Sequence, residues 1–206
     1  MLGPLGLTQK GRSRTWLDDR IWHLIVVEFQ PSSWSPGTYV NVAAMWLWNV
    51  TDYISFDYGP YRVQEFESAD TDDWPERCRD AASLAAAHVQ DLRAEITDLA
   101  AAARATSAID QPGWPTFHAA IASGLVGDVE RARELFDRLL VEGATEDWHR
   151  AMQTKAAELR ALLGDPAAFR ARVVDDIERT RSALRLPARA ASEIGAALEA
   201  GVTPGT

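Results

Sequence analysis

A chain of 206 residues, 47% apolar and 25% charged, has the balance of an ordinary globular protein and is long enough for one large or two small domains. Its formal charge of -9 argues against nucleic acid and against anionic membranes, since both select clustered positive charge. Cys78 is the single cysteine, which excludes an intrachain disulfide or a cysteine metal cluster, fits a reducing compartment and makes a cytoplasmic location the expectation.

The opening MLGPLGLTQKGRSR lacks the long apolar stretch of a signal peptide, and no later run approaches the roughly 20 apolar residues of a membrane span. The first third reads as strands. RSRTWLD is a short candidate; Arg20–Gln30 and Thr38–Val50 are rich in β-branched and aromatic residues that suit a pleated surface. PSSWSPG between them predicts a hairpin connection. Asp52–Tyr58 and Tyr61–Glu67, divided by Gly59-Pro60, complete an antiparallel meander of four or five strands. Pairing Trp22 with Trp46 would set Trp22, Trp46 and Trp48 on one face, and His23 with Asn41 on the other. Both faces of this hairpin are apolar, so both should be buried, with the tryptophans in the core.

Asp72 or Asp73 can cap the next element and Pro75 suits its first turn. Cys78, Ala85, Leu92 and Leu99, with Ala82, Val89, Ile96 and Ala103 beside them, make one apolar stripe and predict one long helix packed on the meander. Residues 1–105 would then be an α+β meander-plus-helix domain. DQPGWP (110–115) breaks the chain, and 113–206 reads as an all-α region of helical hairpins. AAIASGLVGDVERARELF (119–136) and AAELRALLGDPAAFRARV (156–173) are alike, with Gly127-Asp128 and Gly164-Asp165 spaced 37 residues apart. In each, glycine should end one helix in the left-handed conformation and Asp should cap the next. Pro187 stops the repeat and Ala188–Ala200 predicts a closing helix.

These paired turns, with Ala-Phe following the second, resemble tetratricopeptide-type hairpins, although that repeat has a period of about 34 residues. The run 5–42 resembles the bacterial domain-of-unknown-function family 4304. Gly6, Gly11, Arg14, Thr15 and Trp16 carry the likeness, followed by the strand ending in Gln30, then Ser33-Trp34, Tyr39 and Asn41. The resemblance spans about the first hundred residues and implies a meander-plus-helix fold and a bacterial setting, with no activity attached. Such domains begin with a helix before the Leu-Gly turn, whereas this chain starts almost at the turn; either that helix is missing or the start lies upstream.

No chemistry-bearing motif stands out. His23, His88, His118 and His149 have no metal-ligand spacing, and neither a Gly-rich phosphate loop nor a GxSxG elbow is present, so no catalytic residue, metal or cofactor is assigned. His23 reads as a satisfied, semi-buried ring near Asn41. The acidic stretch 67–80 reads as helix-capping, and Glu130, Arg131, Arg133, Glu134, Asp137 and Arg138 as a solvated helix face. The best binding candidates are Gln30, Ser33 and Trp34 in and beside the hairpin loop, with Asn41 and His23 on the sheet. Two roles follow. One is a non-catalytic protein-interaction module, immunity-type or accessory by analogy, with a protein partner, no nucleic acid, no membrane and a homodimer as a further option. The other is a small-ligand binder or enzyme with a site between the sheet and the C-terminal helices, using His23, Asn41, Gln30, Trp34 or Glu28.

Overall fold

The computed structural model describes residues 1–33, 37–67 and 73–200. The fold is α+β, with an antiparallel sheet preceding the helices. Among the described residues the sheet has five strands in chain order: β1 (Thr8–Gln9), β2 (Thr15–Asp19), β3 (His23–Pro31), β4 (Gly37–Trp46) and β5 (Tyr58–Glu67). Contacts group the chain into two compact units. One holds Met1–Trp46 with Ile54–Ala94; the other holds Leu47–Tyr53 with the chain from Glu95 onward.

In the sheet unit, β2 turns into β3 through Asp19, whose Oδ1 accepts from the Ile21 amide at 3.0 Å. That bond helps hold Ile21 at φ +73°, an uncommon conformation for a β-branched residue. The pairing of β3 with β4 differs from the expected register by one residue: His23, not Trp22, lies opposite Trp46. Because side chains alternate, this slip exchanges faces. His23, Ile25 and Val27 share a face with Trp46, Ala44 and Val42, while Asn41 lies on the other with Glu28 and Val26. His23 is therefore not beside Asn41. Both faces of the hairpin centre are nonetheless buried, from Leu24 to Val27 and from Val40 to Trp46. Trp22, Trp46 and Trp48 are core residues, as expected, and Trp34 lies outside the described residues.

The expected strand over Asp52–Tyr58 is not regular strand; a single β5 begins at Tyr58 and runs through Gly59-Pro60. The glycine and proline mark a bulge there, with shifts in the β4–β5 register between Val42 and Ala44, not a turn between two strands. β5 is an edge strand, where the missing amide of Pro60 is tolerated. Gly59 has φ +113°, and a Cβ there would stand 3.1 Å from Leu92 Cδ2, so backbone and helix meet closely at this point.

The expected single helix is two. α1 (Trp74–Glu95) packs in the sheet unit through Ala81, Ala85, Val89 and Leu92. Arg93 fastens it: its Nε donates to Asp18 Oδ2 and its Nη2 to the Leu5 carbonyl, both at 2.8 Å. Cys78 is exposed and outside the apolar stripe. The chain then breaks at Ile96–Asp98, and Asp98 caps α2 (Leu99–Ser107) by accepting from the Ala101 amide at 2.8 Å.

The helical unit continues with α3 (Trp114–Leu125), α4 (Val129–Val141), α5 (Asp147–Leu162), α6 (Pro166–Ala183) and α7 (Ala191–Glu199). α3 is buried on nearly every side and forms the unit's axis. Asp128 and Asp165 cap α4 and α6, accepting from Arg131 and from Ala167 and Ala168. Gly127 is left-handed at φ +88°, as expected, but Gly164 is not; the second turn closes with the Asp165 amide donating to the Leu162 carbonyl. Among the described residues no helix is long and apolar enough to cross a membrane.

Candidate functional site

Gln30 and Asn41, two of the expected binding residues, are brought together on one face of β3–β4. Asn41 Nδ2 donates to Gln30 Oε1 at 2.9 Å and to Glu28 Oε2 at 3.2 Å. Beside them Arg62 lies 4.0 Å above the Tyr39 ring, and Ser32 Oγ donates to Tyr39 Oη at 3.4 Å. Most of this polar patch is half-buried, though Asn41 itself is fully buried. The amide donors of Asn41 are spent on one carboxylate and one amide oxygen, so the group reads as a cross-strand clasp that holds register. Ser33 is exposed just beyond β3, and Trp34 lies outside the described residues.

His23 is separated from that patch. Its ring packs 4.1 Å from Trp22 and 5.8 Å from Trp46, and neither ring nitrogen has a hydrogen-bond partner among the described residues. The expected satisfied ring is thus a fully buried and unsatisfied one. Burial, then the nearby Arg20 charge, lowers its pKa from 6.5 to about 3, against an opposing pull from Asp19. Its ring packs as an aromatic core residue against the two indoles.

Two features of the helical unit escaped the sequence reading. The first is a ladder of rings. Trp114 stacks on His118 at 6.1 Å and on Trp148 at 6.1 Å, and Trp148 stacks on His149 at 5.2 Å. His118 Nδ1 accepts from Trp48 Nε1 at 3.1 Å, and His149 Nε2 stands 3.4 Å from Glu142 Oε2. The outer rung, Trp148, is 50% exposed, and Val141 at the end of α4 is 84% exposed.

The second feature is an open cavity of about 310 Å³ in which α5 and α6 contribute Lys155, Glu158, Arg172, Asp176 and Arg179. Asp176 is 1% exposed and faces three cations: Lys155 Nζ at 3.4 Å, Arg172 Nε at 3.4 Å and Arg179 Nη1 at 3.5 Å. Lys155 also donates to the Trp48 carbonyl at 2.9 Å, and Arg172 Nη2 to Glu158 Oε2 at 2.9 Å. Burial pushes the Lys155 amine below the ordinary lysine range, partly offset by the Asp176 carboxylate. The signal was faint in the sequence: Lys155 is one of only two lysines, and Arg172, Asp176 and Arg179 follow helical i, i+4 and i+3 spacing. Nothing in that spacing separates a solvated face from a buried cluster.

Comparison of the chain with family models, with curated proteins and with solved structures found no match.

Proposed function

We propose that the protein is a non-catalytic protein-binding module whose contact centre is Trp148. The supporting observation is a large indole that is half exposed yet stacked on two neighbouring rings, Trp114 and His149. A surface side chain immobilised before binding loses little entropy on binding, and tryptophan is the residue most often dominant at protein interfaces. Val141, 84% exposed, ends α4 seven residues before Trp148, and the segment EGATEDWHR (142–150) that carries Trp148 holds Glu142, Glu146 and Asp147 against Arg150. The fitting partner is a protein presenting an apolar side chain flanked by basic ones, in keeping with the overall charge of -9.

The resemblance of the first hundred residues to family 4304 supports a bacterial setting for this reading, the single cysteine supports a cytoplasmic one, and a toxin-neutralising or accessory role is its narrower form. Affinity capture of the intact protein from native lysate tests it, with Trp148→Ala as the paired bait. The wild type should retain a basic partner whose dissociation constant rises about 30-fold in the variant, the value of a hot spot of ~2 kcal/mol. Circular dichroism should be unchanged. Equal capture by both baits, or a wild type that sediments as a lone monomer and retains nothing, overturns the reading.

A further inference from the structure

We infer that the groove between α6 and α7 is a docking site for a basic amphipathic helix of a partner protein, which lays an apolar stripe along the groove floor and sets lysine or arginine side chains against its acidic rim. The groove has a volume of about 620 Å³ and lies wholly within the helical unit. It shares no residue with the segment that carries Trp148 and is a separate contact surface.

α6 presents two apolar faces. One holds Phe169, Val173 and Ile177, all buried, and turns towards α3, where Gly124 leaves room for the Phe169 ring. The other, roughly a third of a turn round the helix, holds Ala167, Ala171 and Val174 and lines the groove. Both of those alanines are exposed. The opposite wall is α7, which packs against α6 with Ile194 and Leu198 buried and contributes Ala191 and Glu199 to the lining. Gly195 falls between these two at i, i+4 and i+8 spacing, and a Cβ there would meet nothing within 4 Å. Glycine inside a helix is less stable than alanine, and no described atom of this chain fills the gap it leaves. Walls of alanine and glycine let a further helix approach closely.

The rim fixes the charge of the partner. Among the described lining residues Arg170 is the only cation, and it is paired with Glu199 at 2.7 Å. Asp175 and Glu178 remain on the α6 side. Asp175 meets Arg179 only at 3.9 Å, and that guanidinium stands closer to Asp176, at 3.5 Å. The rim is therefore net negative. A second copy of this chain would bring the same acidic rim and an overall charge of -9, so it is repelled there. A cationic helix gains at the rim and buries its apolar stripe on the floor, and both walls are helices with no open strand edge to pair with an extended peptide. The lining stretch 166–178 runs about 18 Å along α6, which matches about three turns of docked helix.

Isothermal titration of the intact protein at physiological salt tests the inference. The probe is an acetylated helical peptide of about 14 residues, with leucine at i, i+3, i+4 and i+7 and lysine elsewhere. It should bind with a dissociation constant below about 100 μM, and twins with glutamate for lysine or alanine for leucine should bind at least about tenfold more weakly. Gly195→Gln should block the groove and weaken binding by about the same factor. Its Tm should not fall, because glutamine is the better helix former. Glu178→Lys should weaken binding, whereas Asp91→Lys, the same charge change on α1, and Trp148→Ala should leave it unchanged. Failure of the leucine–lysine peptide to bind, or unchanged affinity in Gly195→Gln, overturns the inference. An equal loss in Asp91→Lys, which would make the binding charge alone, or a loss in Trp148→Ala, which would move the peptide to the other surface, also overturns it. So does a concentration-dependent dimer that Gly195→Gln dissolves, which would give the groove to a second copy.

Discussion

An imidazole enclosed by Trp22 and Trp46, with no partner for either nitrogen, makes folding compete with protonation. The unfolded chain takes up a proton at His23 near pH 6.5, whereas the folded chain does so only near pH 3. Between those values the unfolded state binds more protons, so the stability His23 allows is complete above pH 6.5 and is lost as pH falls towards 3. At pH 5 the loss attributable to this ring is about 2 kcal/mol. Urea unfolding of the wild type and of His23→Phe at pH 7.5 and pH 5 checks this: the variant should gain about 2 kcal/mol on the wild type between the two. An identical pH dependence in both proteins would show that His23 is accessible or hydrogen-bonded. In the sequence His23 was visible as a strand residue of the apolar hairpin. Its lack of a partner was not, because the pairing partner depends on register and both faces are apolar. With no polar face to exclude one alternative, a one-residue slip leaves the pattern equally good.

At the scale of elements, caps and breakers were the readable part. Gly127-Asp128, Asp165-Pro166 and DQPGWP mark helix boundaries because their effects act within one turn of chain. The break between α1 and α2 was missed because the alanine-rich stripe continues across it, and a periodic pattern cannot tell one helix from two that share a phase. Two helical glycines make the same point energetically. Replacing glycine by alanine in a helix normally stabilises by roughly 0.8–1 kcal/mol. At Gly195 in α7 a Cβ meets nothing within 4 Å, so Gly195→Ala should follow that rule. At Gly124 in α3 the same carbon would stand 2.7 Å from Phe169 Cζ and 3.2 Å from Leu163 Cδ2, both on fully buried side chains. Gly124→Ala should therefore destabilise by about 1–3 kcal/mol through overpacking. Thermal unfolding of the two variants should move Tm in opposite directions; a rise in both would show that α6 yields freely to α3.

For the whole molecule, the decisive fact is that the units are not consecutive in the chain. Leu47–Tyr53 leaves β4 and joins the helices, where Trp48 donates to His118 and its carbonyl accepts from Lys155, while the Asn49 carbonyl accepts from Thr180. Trp48→Ala in the intact chain should cost about 3–5 kcal/mol, as for other buried large aromatic side chains. Hydrogen exchange should locate that loss in α3, α5 and α6. Acceleration confined to the strands would contradict the placement of Trp48 in the helical unit. What the sequence by itself determined was the class of the protein: a meander followed by paired helices, an acidic surface, and the places where helices start and stop. Those properties come from composition and from interactions between residues a few positions apart. The tertiary structure alone decided the strand register, the passage of Leu47–Tyr53 into the helical unit, the exposure of Trp148 and the burial of Asp176. Each of these joins residues far apart in the chain, and hydrophobicity, being without direction, does not say which apolar or charged groups will meet.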